Sequence, residues 1–294
     1  MREKIEYALV KLFLWIAKVA PISLVYGFVR KLTLLMYHLD KERRLLTIKN
    51  LSMAYPEKSA EEVEGLSKEV YIELSRTISE ILLMFVDRLD IDKMIKNSTQ
   101  ARETLQAIAR HSPRGVIVMT AHFSNWELAA HFLAKHGLPM LAIGRQGNNK
   151  LIDENITTPF RERYGNEAVD KSKAMFFMIK KLKTAGNVGL LIDQKSGTSN
   201  SAKIRFFSRD AETTLSVASL KLKFDPLVIP IFIARDKEGL YEMIISDPIE
   251  YTADEIEDKE KKLETMTLKY NQAIEDIVNR YPAQWFWMHN RWRL

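Results

Sequence analysis

The sequence predicts an α/β fold in which a mostly parallel sheet is flanked by helices and preceded by an N-terminal helical membrane-associating module. Two apolar helical stretches open the chain, and from residue 115 onward short apolar runs alternate with helical segments. Apolar runs rich in β-branched residues are typical of strands buried on both faces. Strands that alternate with helices favour a parallel sheet. We expect residues 1–50 to form the N-terminal module and residues 51–294 to form one α/β domain.

The N-terminal module is predicted from its apolar periodicity and its lysines. Residues 5–19 and 22–37 are strongly apolar, with a break at Pro21. Lys4, Lys11 and Lys18 recur every seven residues, which places them along one side of a helix, opposite apolar side chains. This pattern is typical of a helix that lies in the membrane interface. A helix packed on the rest of the protein has the same periodicity. No uncharged run approaches the roughly 20 residues of a membrane-spanning helix.

Capping signals and apolar periodicity predict the remaining elements. Ser59-x-x-Glu62 and Thr252-x-x-Glu255 have the pattern of capping boxes, which open helices. In chain order, the predicted elements are helices at about 59–86 and 100–110, a strand at 115–120, a helix at 125–136, a strand at 140–143, a helix at 173–184, strands at 188–192, 227–234 and 241–246, and a helix from 252 to about 280.

The composition restricts the classes of function. The formal net charge is +6, which favours an anionic partner such as anionic lipid, an acidic carrier protein or nucleic acid. The chain has no cysteine, so disulfides, thiolate metal sites and acyl-cysteine intermediates are excluded. It also lacks a Gly-x-Ser-x-Gly elbow, a Gly-rich phosphate loop and a dinucleotide fingerprint. The histidines show no recognised metal spacing, so we expect no metal.

The candidate catalytic residues are His122 and Glu127, in the segment TAHFSNWE at residues 120–127. This segment joins the first buried strand to its helix, at the carboxyl edge of the sheet where α/β proteins bind ligands. We expect Glu127, in the first helical turn, to bond one imidazole nitrogen of His122. That bond would fix the tautomer and leave the other nitrogen free to accept a proton from a hydroxyl.

A purely structural interpretation of the same segment remains open. Ser124-x-x-Glu127 also has the pattern of a capping box, in which Glu127 would only satisfy a backbone N–H. His122 would then be a strand-end histidine with a satisfied hydrogen bond. The two roles of these residues do not exclude each other.

The segment AHFSNWE, with its His122-x4-Glu127 motif, resembles that of the lipid A biosynthesis acyltransferases, the late lauroyl and myristoyl transferases of Gram-negative bacteria. The resemblance runs from about residue 5 to the C-terminus. Its further blocks follow in the family's order: Gly144-Arg145-Gln146 with Asn149, FRERYG at 160–165, Asp193-Gln194, Phe206-Phe207 with Thr213-Thr214, and YPAQWFWMHNRW at 281–292. A related family, the glycerolipid acyltransferases, implies the same kind of α/β fold for residues 51–294.

This resemblance implies transfer of a fatty acyl chain from a thioester to a hydroxyl or hydroxyacyl group of a lipid A precursor. His122 would be the general base, assisted by Glu127. The donor would be acyl carrier protein in preference to coenzyme A, as a co-substrate and without a bound cofactor. The partners would be that carrier, a membrane glycolipid and an anionic membrane surface, and nucleic acid would not be a partner. The enzyme would act at the cytoplasmic face of the bacterial inner membrane. The alternatives are a phospholipid or other glycolipid acceptor, or a non-catalytic membrane-binding relative.

The resemblance also implies substrate-binding residues. The guanidinium groups of the arginines would contact phosphate or carboxylate on the acceptor, and Asp193 would orient an arginine or His122, unless it only caps structure. The tryptophans at 285, 287 and 292 would form an interfacial belt or pack on the sheet, and Phe206-Phe207 would line an acyl groove or fill core. The predicted substrate-binding residues are Arg145, Asn149, Arg161, Arg163, Asp193 and Gln194.

Overall fold

The structure, a computed structural model, describes residues 1–111, 113–144, 147–197 and 200–293. The helices are α1 (Arg2–Val19), α2 (Ile22–Leu39), α3 (Lys41–Ala54), α4 (Ala60–Phe85), α5 (Ser98–His111), α6 (Trp126–Lys135), α7 (Lys150–Ile152), α8 (Thr158–Glu162), α9 (Ala174–Lys183), α10 (Ser216–Phe224) and α11 (Lys259–Arg280). The strands are β1 (Val116–Thr120), β2 (Leu141–Gly144), β3 (Glu167–Asp170), β4 (Asn187–Leu191), β5 (Ser201–Phe206), β6 (Arg209–Thr214), β7 (Leu227–Arg235) and β8 (Tyr241–Ile245).

The central sheet has six strands in the order β3-β2-β4-β1-β7-β8. All neighbouring strands are parallel except β7 and β8, which pair antiparallel. The predicted mostly parallel α/β sheet is therefore confirmed. A separate two-stranded sheet is formed by the antiparallel pair β5 and β6.

Helices cover both faces of this sheet, which explains why β1 is a continuous apolar run. Ile117 and Met119 point into a core shared with α9, α10 and α11. Val116 and Val118 point into a second core shared with α5 and α6. Successive side chains of a strand point to opposite faces, so both sets are removed from water.

The N-terminal helices pack on the long helix α4. Pro21 separates α1 from α2 as predicted, and Val25 and Val29 of α2 contact Leu83. The Arg88 guanidinium donates to the carbonyl oxygens of Ala17 and Ala20 and so holds the junction. No helix in the described ranges is both long enough and apolar enough to span a bilayer.

Helix α3 crosses residue 50, the predicted end of the N-terminal module. Its Arg43 donates to the Met288 carbonyl (3.2 Å), and its Asn50 donates to the carbonyls of Trp287 (2.7 Å) and His289 (2.9 Å). Helix α3 is therefore bonded to the C-terminal segment of the chain.

The predicted start of the last helix is wrong. Helix α11 begins at Lys259, and its cap is Asp258, which accepts from the Lys261 N–H. Thr252 instead donates to Asp254, and Ala253 has a φ of +51°, which a right-handed helix does not accommodate. The capping box at Ser59 and Glu62 is confirmed at the start of α4.

Three strands were not predicted from the sequence. β3 is a short edge strand, and the β5–β6 hairpin alternates buried and exposed residues along a stretch with few apolar side chains. In β5, Ile204 and Phe206 are buried while Lys203 and Arg205 are exposed.

Candidate active site

His122 and Asp193 occupy equivalent positions at the ends of two neighbouring parallel strands. In the register of β1 and β4, Thr120 lies opposite Leu191. His122 and Asp193 each lie two residues beyond this pair, at the same edge of the sheet. The Nδ1 atom of His122 is 2.9 Å from Oδ1 of Asp193. The sheet register thus produces a histidine–carboxylate pair.

The surroundings favour the charged forms of both groups. Burial alone would lower the pKa of His122, but the attraction and hydrogen bond of Asp193, with a contribution from Glu127, raise it above the ordinary histidine value. Burial alone would raise the pKa of Asp193, but the attraction of His122 and the hydrogen bonds from His122 and Trp285 lower it below the ordinary aspartate value. Asp193 is 1% exposed, and its Oδ2 accepts from the Trp285 indole N–H at 2.8 Å. The carboxylate is therefore held in one orientation.

Glu127 does not make the predicted bond to the imidazole. In the described part of the chain its carboxylate instead contacts the Arg161 guanidinium, with 3.2 Å between Oε1 and Nη2. The Nδ1 atom of His122 is already bonded to Asp193, and a guanidinium offers a carboxylate a full opposite charge. Glu127 therefore acts on His122 through its charge rather than through a hydrogen bond.

The predicted capping box at Ser124 and Glu127 is also wrong. Asn125 is the cap of α6, and its Oδ1 accepts from the Leu128 N–H at 3.0 Å. Ser124 has a φ of +52°, and its buried hydroxyl has no hydrogen-bond partner among the described residues. Glu127 is thus free of a capping role, and its described partner is Arg161.

A buried ionic network fixes the start of α6. Asn125 Nδ2 donates to Oε2 of Glu80 at 3.0 Å. The same carboxylate, 1% exposed in α4, accepts from both Nη atoms of Arg235 and from the Tyr241 hydroxyl. Glu80 of α4 therefore links the cap of the helix that carries Glu127 to β7 and β8.

The C-terminal segment packs against residues 122–124, at the end of β1. Phe123 and Trp285 form an isolated antiparallel bridge. The Phe286 N–H donates to the His122 carbonyl at 3.1 Å, and the Ser124 N–H donates to the Gln284 carbonyl at 2.7 Å. The three tryptophans of this segment, Trp285, Trp287 and Trp292, are buried, which favours packing over an interfacial belt. Phe206 and Phe207 likewise fill core.

A cavity of about 340 Å³ opens beside His122 and Glu127 and extends between α6 and the sheet. Its mouth is lined by His122, Trp126, Glu127 and Arg161. Its deeper walls are largely apolar and include Val118, Ala129, Ala130, Leu133, Met140, Gly189 and Ile231. A polar mouth with an apolar interior suits an elongated ligand with a reactive end.

The other predicted site residues are dispersed. Arg161 lines the cavity mouth, and Gln194 follows Asp193. Arg163 is elsewhere, because it donates to the Met84 carbonyl and to Asp87. Asn149 caps α7 and contacts Glu3 and Glu6 of α1. Arg145 lies outside the described residues.

Two further residues near the pair had not been predicted to act there. Trp285 orients Asp193, as described above, and Nε2 of His289 accepts from the Lys195 N–H at 3.1 Å. Burial lowers the pKa of His289, so this histidine is favoured in its neutral form. Both residues lie in the C-terminal YPAQWFWMHNRW block at residues 281–292. Within the described ranges, no group of three or more His, Cys, Asp or Glu side chains is placed to hold a metal ion.

Comparison with known proteins identifies the family. Residues 2–294 match the bacterial lipid A biosynthesis acyltransferases. The chain belongs to this family. It is thus an acyltransferase of lipid A biosynthesis, as the sequence motifs had implied.

Three curated relatives are similar to this chain over most of its length. The lipid A biosynthesis palmitoleoyltransferase of Escherichia coli (strain K12) is 26% identical over 289 residues, which cover 96% of this chain and 88% of that protein. The lauroyltransferase of the same strain is 24% identical and covers 95% and 89%, respectively. The myristoyltransferase is 21% identical and covers 85% and 75%.

Proposed function

We propose that this enzyme transfers a fatty acyl chain from a thioester to a hydroxyl group of a lipid A precursor, with His122 as the general base. The observation that carries this proposal is the 2.9 Å contact between His122 Nδ1 and Asp193 Oδ1 at the mouth of an apolar cavity. A carboxylate at Nδ1 keeps the proton there and leaves Nε2 free to accept another.

The reaction begins when the acceptor hydroxyl attacks the thioester carbonyl carbon. A C–O bond forms as the hydroxyl proton moves to Nε2 of His122, and the C–S bond then breaks. The imidazolium returns its proton to the departing thiolate. Asp193 stabilises the imidazolium between these two steps, because its charge is buried and directed at Nδ1.

Glu127 and Arg161 would act beside this pair. The Glu127 charge contributes to the raised pKa of His122 and so adds to the stabilisation of the imidazolium. Arg161 holds the Glu127 carboxylate and lines the cavity mouth, so it remains the candidate arginine for an anionic group of the acceptor. The substrate-binding roles predicted for four other residues stay hypotheses: Gln194, Asn149, Arg163 and Arg145.

We assign the acyl chain to the cavity between α6 and the sheet. Its deeper walls are apolar, and burying each methylene there contributes about 0.8 kcal/mol. Ala129 and Ala130 of α6 leave room that larger side chains would fill, so the wall at these positions would influence chain length.

Acyl carrier protein is the preferred donor carrier over coenzyme A. The net charge of +6 would steer an acidic protein toward the enzyme, and this attraction weakens as salt is added. We therefore expect kcat/KM for acyl carrier protein to fall more steeply with ionic strength than kcat/KM for the coenzyme A thioester.

The apolar outer face of α1 and α2 would hold the enzyme at the cytoplasmic face of the inner membrane. Leu24 is 62% exposed, Phe28 57% and Leu39 69%, and eleven further large apolar side chains at residues 5–36 are also exposed. Contiguous apolar surface of this kind marks an interaction site with a membrane or a protein. The lysines at 4, 11 and 18 are suited to anionic headgroups.

The membrane proposal is tested by vesicle sedimentation. Leu9→Gln with Phe28→Gln should weaken binding to vesicles that contain anionic lipid by about tenfold or more. Each substitution replaces an apolar side chain that would be buried in the bilayer by a polar one. Leu222→Gln with Leu240→Gln removes two exposed apolar residues outside this face and serves as the control. Equal binding by both double variants would assign the membrane contact to another surface.

The activity is tested with purified enzyme and defined lipids. Acyl carrier protein or coenzyme A charged with lauroyl, myristoyl or palmitoleoyl groups is offered with a lipid A precursor or with a phospholipid, and the products are identified by mass spectrometry. Acylated lipid A precursor is the expected product. Acylation of phospholipid alone would favour the alternative acceptor, and the absence of all transfer would favour a membrane-binding relative without turnover.

A further inference from the structure

A second cavity, of about 330 Å³, lies next to the catalytic pair on the side of the β5–β6 hairpin. Lys195, two residues beyond Asp193, lies in its wall, and its N–H donates to His289. The charged residues of the wall are four cations and two carboxylates: Lys195, Lys203, Arg291, Arg293, Asp210 and Glu212. This cavity shares no lining residue with the acyl cavity described above.

The Arg291 guanidinium is the unusual member of this group. Arg291 is 1% exposed, yet it forms no ion pair with a carboxylate anywhere in the described ranges. Its Nη atoms donate to the Glu212 carbonyl and the Thr213 hydroxyl, and its Nε has no hydrogen-bond partner. A buried guanidinium with no carboxylate in direct contact is costly, so proteins ordinarily pair it.

The carboxylates of the cavity do not neutralise its cations. Glu212 is paired with Arg293, with 3.0 Å between the Oε2 and Nη2 atoms. Among the described residues, Lys195 and Lys203 form no ion pair, although both border the same space as Arg291. Burial lowers the pKa of Arg291 to about 10, against the attraction of Asp193 and Glu212, so the guanidinium stays charged at neutral pH.

We propose that this cavity binds a phosphate group of a substrate, with Arg291 at its base and Lys195 and Lys203 at its rim. A phosphate has several acceptor oxygens and a negative charge, which match an arginine fork and flanking ammonium groups. Two substrates of an acyl transfer carry such a group: the phosphopantetheine arm that bears the thioester, and a phosphorylated glycolipid acceptor. The identity of these ligands rests on the proposed function, whereas phosphate binding does not require turnover.

The proposal is tested by calorimetric titration of the full-length enzyme with two pairs of ligands, each pair differing only in phosphate. One pair is pantetheine and 4′-phosphopantetheine, and the other is a glucosamine disaccharide with and without one phosphate. We expect the phosphorylated member of one pair to bind about ten- to a hundredfold more tightly, as for a charged hydrogen bond. Preference within the first pair assigns the cavity to the donor, and preference within the second assigns it to the acceptor.

Matched variants distinguish phosphate binding in this cavity from a general attraction by the positive charge of the enzyme. Lys195→Ala with Lys203→Ala should remove most of the preference without disturbing the buried Arg291. Lys237→Ala with Lys261→Ala removes the same charge from exposed positions elsewhere and should leave the preference unchanged. The proposal is overturned if neither ligand pair shows a phosphate preference, or if both double variants reduce it equally. Acyl transfer is assayed separately, so loss of the proposed function and loss of this site are distinguishable.

Discussion

Replacing Asp193 by Asn tests the proposed mechanism most directly. The substitution keeps the size of the side chain but removes the charge that stabilises the imidazolium, and it places an amide N–H₂ group where two donors converge. One of those donors is His122 Nδ1 at 2.9 Å and the other is Trp285 Nε1 at 2.8 Å. Either the imidazole takes the wrong tautomer or the Trp285 bond is lost.

We expect kcat to fall by about 10²–10⁴-fold, which corresponds to about 3–5 kcal/mol in the barrier. The pH profile gives a second measure. The base must be neutral, so kcat/KM declines as pH drops below the pKa of His122, which Asp193 raises. Without the Asp193 charge, burial lowers that pKa. The acid limb of kcat/KM should therefore move to lower pH while the plateau falls.

The assay is acyl transfer per folded molecule across a pH series, with folding checked by near-ultraviolet circular dichroism. Loss of a buried hydrogen bond should itself cost about 1–3 kcal/mol of the free energy of unfolding. Asp247→Asn, an exposed position, is the matched control. A plateau near that of the control, with an unmoved acid limb, would refute the assignment of Asp193 and with it the proposed role of His122.

Three further outcomes are expected. Glu127→Gln should lower kcat by about tenfold, which is a smaller loss than that of Asp193→Asn. The amide keeps a contact with Arg161 but loses the charge that acts on His122. A loss as large as that of Asp193→Asn would restore Glu127 as the direct partner of His122. Ala130→Leu should shift product chains toward shorter lengths, measured by mass spectrometry, because it narrows the apolar cavity; an unchanged chain distribution would place the acyl group elsewhere. Glu80→Gln should lower the free energy of unfolding by about 3–5 kcal/mol in denaturant titrations, since it leaves the Arg235 charge buried without its main partner. A change well below 1 kcal/mol would show that the ionic network around Glu80 contributes little to stability.

Local sequence signals located the individual elements well. The capping box at Ser59 opens α4, the break at Pro21 separates the first two helices, and the apolar run at residues 115–120 contains β1. These features depend on neighbours in the chain, so periodicity and capping chemistry suffice to place them. The weak alternation of β5 and the brief β3 edge were missed, because few apolar residues mark them.

The same local signals failed where a side chain had several partners available. Thr252-x-x-Glu255 and Ser124-x-x-Glu127 both have the spacing of capping boxes, yet the helices are capped by Asp258 and Asn125. Spacing shows only that a bond is possible. A positive φ at Ser124, where the chain is bonded to Gln284, sets which residue actually begins α6.

By itself, the sequence determined the α/β class, the family and the position of His122 at the end of a buried strand. The tertiary structure decided its partner: Asp193, 71 residues away in the chain, at 2.9 Å from Nδ1, and not Glu127. The physical reason is the register of the sheet, which places β4 beside β1 and brings the residues after Thr120 and Leu191 to one edge. Which parallel strands become neighbours depends on how the helices between them pack, and that information is spread over the whole chain.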